Sequence, residues 1–420
     1  MTEMQKSKLS ILFAIVFVDL LGFSLILPLI PFYAKEFGAS DTVIGLLVAS
    51  YAAAQLIGAP VLGRLSDRFG RRPILLISIL GTAVGFVMLA FANSLWMLFA
   101  SRILDGLTGG NISVAQAYIT DITDRENRAR GLGIIGAAFG LGFIIGPAVG
   151  GLMSTVGASM DAASDGAITW QFAIPALIAA LLAFANMVAV YFFLPESLSA
   201  EQREELASRP QDEFSFRNLR AAFQRPRVGP LFTIRFFSGL AFSMLTTIFA
   251  LYALNKFGLG VSQTAFILAY VGVLSVFIQG FGIGRLTARF EERWLVFVST
   301  VVLTISLLLW AITPSVTVLL IILIPIAFGG GVLNTLINSL LSKSVTNEEV
   351  GGTLGISAAI ESSTRVIAPT LGGVLLDSLG TWAPGVFGAI VMGALSPYVW
   401  RRLIDRPDPP LPEVEDKTET

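Results

Sequence analysis

The chain is 420 residues long, 54% hydrophobic and 14% charged, with a formal charge of −1 and neither cysteine nor histidine; its mean hydropathy is +0.77. Soluble domains carry about 25% charged residues, so a string of soluble domains is excluded; the absence of cysteine and histidine excludes disulfides, thiol chemistry and the usual zinc sites. Without histidine, any proton handling near neutrality falls to carboxylates.

A bilayer core about 30 Å thick takes roughly 20 apolar residues per helix. By that measure twelve spans are expected, at 9–32, 42–63, 73–92, 95–119, 131–153 and 170–194, then at 229–254, 262–284, 294–313, 317–341, 353–376 and 382–402. The expected fold is an all-α membrane protein of two six-helix bundles, residues 1–195 and 229–405. A polar central segment, 196–228, joins them, and an acidic, proline-rich tail follows at 406–420 whose composition predicts disorder. The first apolar run outlasts a signal-peptide core and meets Pro28 and Pro31 near its end, so it is read as a retained span. Of 28 Lys and Arg, 23 lie at the N-terminus, in loops on its side, in the central segment or at the C-terminus, against Lys35 and Lys256 in the opposite loops. The positive-inside rule then expects both termini and the central segment in the cytoplasm.

Span one, "IVFVDLLGFSLILPLIP" from Ile15 to Pro31, contains one carboxylate, Asp19. Ten or so residues into the span, at 1.5 Å per residue, it sits about 15 Å deep, near the midplane. An ionised carboxylate there costs at least about 2.5–3.5 kcal/mol on insertion scales. Two roles fit: a group that takes and gives a proton, or one tied permanently to an arginine. Its counterpart in the second half falls near the uncharged Gly239, which favours the first.

Span two contributes Gln55, and span four contributes Arg102, Asp105 and Gln116. Arg102 and Asp105, three apart, lie on neighbouring parts of one helix face. "NIS" at Asn111 has the form of a glycosylation sequon, which has no such use inside a span. Span five carries Gly142, Gly146, Pro147, Gly150 and Gly151, a small-residue face for close packing around a proline. Arg235 enters span seven by only a turn or two and is expected to snorkel. In span ten, Asn334 and Asn338 lie one turn apart after three glycines; like Gln55 and Gln116, they fit substrate binding or helix–helix contact. Glu361 precedes Arg365 by four residues in span eleven, the favourable order for a helix pair, fitting either an interface pair or transport chemistry.

The halves also repeat. "GRLSDRFGRR" (Gly63–Arg72) has a degenerate partner in "GRLTARFEER" (Gly284–Arg293), "GPAVGG" (Gly146–Gly151) in "APTLGG" (Ala368–Gly373), and "KEFGAS" (Lys35–Ser40) in "NKFGLG" (Asn255–Gly260). Nearly one offset for all three means a duplicated six-helix unit, a transporter architecture with its site between the halves.

The loop Gly63-x-Leu65-x-Asp67-Arg68-x-Gly70-Arg71-Arg72 resembles the signature loop of the major facilitator superfamily. Leu98-x-x-x-Arg102-x-x-x-Gly106 resembles its fourth-helix motif, and Gly142-x-x-x-Gly146-Pro147-x-x-Gly150-Gly151 the fifth-helix motif of proton-driven exporters. With "AYITDITDRENRARGLG" and "LPES", the chain is similar to the tetracycline and multidrug branch over nearly its whole length. It departs from tetracycline exporters of this type, which carry further acids in helices three and nine: Gly85 stands in the first place, and span nine has no acid inside it.

The resemblance implies bundles related by a pseudo-two-fold axis along the membrane normal that rock about a central cavity lined by helices one and four. Arg102 is then a partner for Asp19, with Asp105 competing for it. Asp67 with Arg68, Arg71 and Arg72, flanked by Gly63 and Gly70, is a latch pairing with neighbouring helix ends to hold the outward-facing state; its C-terminal copy has Ala288 for Asp67. The span-five glycines and their echo at Pro369, Gly372 and Gly373 become sliding seams between the halves. The expected activity is proton-coupled export of amphipathic, drug-like small molecules across the cytoplasmic membrane. The exporter is expected to be monomeric and driven by the proton gradient, with no cofactor, metal or nucleic-acid partner. Its rivals are the same fold moving a metabolite or lipid, by uptake as well as by export, and a receptor or assembly factor that has lost transport. An enzyme is not expected, since no nucleophile–base pair or phosphate-binding loop is visible.

Overall fold

The computed structural model describes residues 3–123, 125–162, 168–208, 223–346 and 349–405. The tail at 406–420 and residues 209–222 of the central segment lie outside the described residues. Among those described, every element is helical.

The first half comprises α1 (Glu3–Ile26), α2 (Ile30–Glu36), α3 (Asp41–Phe69), α4 (Arg71–Ala90), α5 (Leu95–Thr108), α6 (Asn111–Ile122), α7 (Arg125–Asp161) and α8 (Trp170–Phe193). A short α9 (Ala200–Ser208) lies in the central segment. The second half comprises α10 (Gly229–Phe257), α11 (Val261–Phe277), α12 (Ile283–Thr287), α13 (Glu292–Ala311), α14 (Val316–Lys343), α15 (Val350–Leu379) and α16 (Ala383–Val399). A π-helical turn, Ile278–Gly282, joins α11 to α12.

Among the described residues, ten helical segments are long and apolar enough to cross a membrane. The other two expected spans have physical reasons to differ. Span four, expected as one helix, breaks at Gly109–Gly110 into α5 and α6, since adjacent glycines lower the cost of leaving the helical ladder. Span eleven is α15, diluted by Gly, Ser and Thr and bearing Glu361 and Arg365. Span one breaks at residues 27–29, where Pro28 donates no backbone hydrogen bond, and restarts with Pro31 in the first turn of α2.

The repeat goes deeper than its sequence matches. The Tyr33 hydroxyl donates to the Ala92 carbonyl at 2.7 Å, and the Tyr252 hydroxyl donates to the Trp310 carbonyl at 2.8 Å. Corresponding tyrosines thus tie corresponding helices in each half.

Among the described residues, the close backbone contacts between the halves lie towards one end. A Cβ on Gly45 would strike the Pro369 carbonyl, and one on Gly373 the Asp41 carbonyl, so α3 and α15 touch backbone to backbone. A Cβ on Gly151 would sit 2.9 Å from the Ala265 Cβ, and one on Gly272 2.8 Å from the Phe143 carbonyl, which joins α7 to α11. The Ser262 hydroxyl donates to the Gly151 carbonyl at 2.9 Å and lies 2.8 Å from the Thr155 hydroxyl. Towards the other end, Gly63 of α3, Gly133 and Gly136 of α7, Gly355 of α15, and Gly280 and Gly284 beyond the end of α11 have nothing within 4 Å of where a Cβ would stand. The bundles therefore splay from a seam near Asp41 towards the end that carries Gly70.

One expectation about the seam needs correcting. Gly142, Gly146 and Gly150 do not face the other half: they pack α7 against Leu20, Ser24 and Leu25 of α1, and the Ser24 hydroxyl donates to the Gly142 carbonyl at 2.7 Å. Gly151 alone of the set crosses to the second half. The division repeats in α15, where Gly372 packs on Met244 and Ile248 of α10 while Gly373 crosses to α3. Pro147 is buried within an unbroken α7.

Candidate functional site

The break between α5 and α6 builds the first-half site. It starts α6 at Asn111, whose side-chain amide donates to Asp19 Oδ2 at 2.5 Å. Asp19 Oδ1 is buried with no hydrogen-bond partner. The pocket at this pair is lined by Ile15, Val16, Leu75, Ile79, Ala115 and Asn186, so the carboxylate faces the interior of the first half. Gln55 holds the break in place: its Nε2 donates to the Gly109 carbonyl at 2.9 Å and to the Tyr51 hydroxyl at 3.1 Å. Asn111, set aside as a sequon, is the residue that sequence reasoning missed. The double glycine before it was the available signal.

Arg102 does not meet Asp19, contrary to expectation. Its Nη1 lies 3.2 Å from Asp105 Oδ2 across one helical turn, and both side chains are almost fully buried. The Phe86 ring centroid stands 5.6 Å from the guanidinium. Gly85 explains the missing third-helix acid: a Cβ there would sit 3.2 Å from the Asp105 Cβ, so the place that a side chain would take is filled by Asp105 from the neighbouring helix.

The second-half site is a triad. Glu361 Oε1 accepts from Arg365 Nη2 at 2.7 Å, as the i,i+4 spacing predicts. Arg235, expected to snorkel, is instead buried at 6% exposure. Its Nη2 pairs with Glu361 Oε2, and its Nη1 donates to Asn334 Oδ1 at 2.6 Å. A charged group one or two turns into a span reaches inward when a buried acid and an amide offer it better partners than the membrane interface. Asn334 is thereby occupied, and Asn338 Oδ1 accepts from Ser357 at 3.4 Å. Gln116 is exposed on α6 while Val114, Ala115, Tyr118 and Ile119 around it are buried. Of the four polar candidates, three make helix–helix contacts and Gln116 remains open.

Tyr51 links the two sites. Its ring lies 5.1 Å from that of Phe23, and it is within electrostatic reach of Asp19, Asp105 and Arg102 in its own half and of Arg365 in the other.

The Asp67 loop folds back on its own half. Asp67 pairs with Arg71 at 2.6 Å, and Arg71 reaches Asp121 at 3.0 Å and the Ser66 hydroxyl at 2.6 Å. Gly70, at φ 103°, turns the chain between α3 and α4. Glu196 of "LPES" caps α4, accepting from the backbone N–H groups of Arg71 and Arg72 at 2.9 and 3.1 Å, where a carboxylate suits the positive end of the helix dipole. A Cβ on Gly70 would lie 2.5 Å from Glu196 Oε2, so glycine is needed twice over. Arg72 also donates to the Tyr191 carbonyl, while Arg68 is exposed beside the Phe69 ring.

At the seam, Asp41 is buried and bridges Lys35 Nζ at 2.7 Å and Asn255 Nδ2, from the other half, at 2.6 Å. Asp377 accepts from the backbone N–H groups of Asp41 and Thr42 at 3.0 and 2.7 Å and from the Thr42 hydroxyl at 2.5 Å.

A family model, the Major Facilitator Superfamily, matches residues 12–282 and 231–420. The chain belongs to that superfamily. It is 32% identical over 373 residues to the class H tetracycline resistance protein of Pasteurella multocida, covering 88% of each chain. It is 29% identical over 400 residues to multidrug resistance protein 2 of Bacillus subtilis (strain 168), covering 94% of this chain and 96% of that one. Among solved structures, a bacterial homologue of the human lysosomal transporter Spinster superposes with a TM-score of 0.77 at 16% identity, covering 94% of this chain and 96% of the other. The chain is therefore a multi-pass membrane transporter of the major facilitator fold and not an enzyme.

Proposed function

We propose that this transporter exports amphipathic, drug-like small molecules across the cytoplasmic membrane in exchange for protons. Among the described residues of the spans, Asp105 and Glu361 each face an arginine, whereas Asp19 faces only a neutral amide. That observation carries the proposal. An arginine beside an acid favours its charged form, whereas an amide N–H donates equally well to a carboxylate oxygen or to the carbonyl oxygen of a protonated acid. Asp19 is thus the carboxyl free to exchange a proton, and Asn111 holds it through the exchange. Similarity to tetracycline and multidrug resistance proteins supports export as the direction.

The charge bias supports a cytoplasmic Gly70 end; on that reading the splayed arrangement is cytoplasm-facing and the Asp41 seam is the outer gate. Alternating access then requires the seam to part while the Asp67 loop closes on the second half.

The test uses inside-out vesicles with an imposed proton gradient, following uptake of lipophilic dyes and antibiotics together with lumenal pH. Wild type is expected to accumulate a compound and release protons, and Asp19→Asn to do neither. Equal behaviour of the two proteins, at equal folded amount, overturns proton coupling through Asp19.

A further inference from the structure

The second-half triad carries more positive charge than its one acid neutralises. Arg235 and Arg365 share Glu361, and each takes one of its oxygens. The remaining partner of Arg235 is the neutral Asn334, so one positive charge of the cluster is left without a counter-charge. Arg235 Nε is in addition buried with no acceptor. Uncompensated charge within a membrane span is expensive and is retained where it serves a pathway or a ligand.

The two arginines differ in what they offer. Arg235 is enclosed, whereas the Arg365 side chain is 54% exposed. The helix face explains to what it is exposed. Gly373, Pro369, Arg365 and Glu361 follow one another at four-residue intervals on α15, one above the next. The first two touch α3 of the opposite half, at Asp41 and Gly45. Arg365 comes one turn below that contact, where the halves begin to separate, and Tyr51 of α3 is within its electrostatic reach. Exposed Ile367 lies about 200° around the helix from it, so the apolar, lipid-compatible side of α15 is elsewhere. The guanidinium faces the cleft.

We infer that Arg365 is an anion-binding residue of the substrate site, and that the exported amphiphile carries an acidic group which this guanidinium holds as a carboxylate or similar anion. Arg365 donates to the anion while Arg235 keeps Glu361 neutralised from behind, so binding does not strip the acid of its only cation. The planar fork of arginine suits a two-oxygen anion. Tyr51, within electrostatic reach of Arg365, lies against the Phe23 ring and adds an apolar surface. This deepens the export reading and rests on the same cavity.

The experiment compares an anthracene-tagged amphiphile as its free carboxylate and as its methyl ester, bound to detergent-purified protein and read by fluorescence anisotropy. Charge-assisted hydrogen bonds are worth about 1.5–3 kcal/mol, so wild type should bind the acid at least about tenfold more tightly than the ester. Arg365→Gln should erase that preference and keep ester affinity, and Arg365→Lys should restore part of it. Ester affinity reports folding of each variant. Equal binding of acid and ester by wild type, or an intact preference in Arg365→Gln, overturns the inference. Vesicle transport of the same pair separates it from the export reading. Preferential acid binding without transport sinks export alone, whereas transport of a cationic dye without acid preference sinks this inference alone.

Discussion

Asp41 accepts a hydrogen bond from Asn255 at 2.6 Å across the boundary between the two halves, 214 residues along the chain. This buried acid is also salt-bridged to Lys35 of its own half, so one carboxylate gathers both bundles at the closed end. The seam around it is made of backbone contacts through Gly45, Gly151 and Gly373, and it supports direct tests.

Thr155 and Ser262 present their hydroxyl oxygens 2.8 Å apart across that seam, and the chain has no cysteine of its own. The double variant Thr155→Cys/Ser262→Cys is expected to form a disulfide on mild oxidation, because the two γ positions that the sulfurs would take already lie 2.8 Å apart, within about 1 Å of an S–S bond. Transport should stop on oxidation and return with a reductant. Failure to cross-link, or transport unaffected by a completed cross-link, means that this seam does not have to part.

Asp19 sets the coupling prediction. A proton gradient of one pH unit is worth 1.36 kcal/mol, which sustains about tenfold accumulation in a one-for-one exchange. Asp19→Asn should bring the accumulation ratio to about one while leaving binding of the dye measurable. Asn111→Ala should keep coupling but move its pH dependence, since the carboxyl loses the amide that donates to it.

Asp377 separates gate from coupling by pH. It lies in the last turn of α15, beyond the expected span limit at residue 376, and although partial desolvation disfavours its charge, hydrogen bonds from the Thr42 side chain and backbone and from the Asp41 backbone hold its pKa below the ordinary value. With the folded value lowered, the clasp is fully formed above the usual carboxylate range and is lost only as pH falls through the lowered value. Between about pH 5 and 8 it does not titrate. Transport by Asp377→Asn should therefore keep the wild-type pH profile in that window, whatever its rate, while Asp19→Asn flattens it.

Glu361 is worth more to the fold than Arg365. Glu361→Gln leaves the buried Arg235 without its acid, a change of about 3–5 kcal/mol for a broken buried pair. Arg365→Gln removes an exposed partner and should cost about 1 kcal/mol or less. Thermal unfolding in detergent should rank them in that order.

Gly70→Ala should destabilise the protein by about 1–3 kcal/mol through the left-handed backbone, and by more through the clash with Glu196. Pairing it with Glu196→Ala relieves the clash but not the backbone strain, so the double variant should recover only part of the lost stability, again read by thermal unfolding.

The spans were legible because hydropathy is read one helix at a time, and the duplication because its matches share an offset. Pairs within one helix were legible for the same reason: Glu361–Arg365 and Arg102–Asp105 stand at the spacings that bring side chains together. Contacts between helices were not. Arg235 reaches Glu361 over 126 residues, and Asn111 reaches Asp19 over 92. Only the relative rotation of packed helices decides such meetings, and no spacing encodes it. The span-five glycines show the same limit: a small-residue face announces close approach without naming the helix that approaches.

The seam has a consequence for speed. Interlocked side chains must each leave one rotamer well and find another when two surfaces part. Where Gly45, Gly151 and Gly373 meet the opposite main chain, there is little to unlock and little to reset. The two bundles can come apart like polished plates rather than meshed gears, held until then by a few polar clasps at the rim.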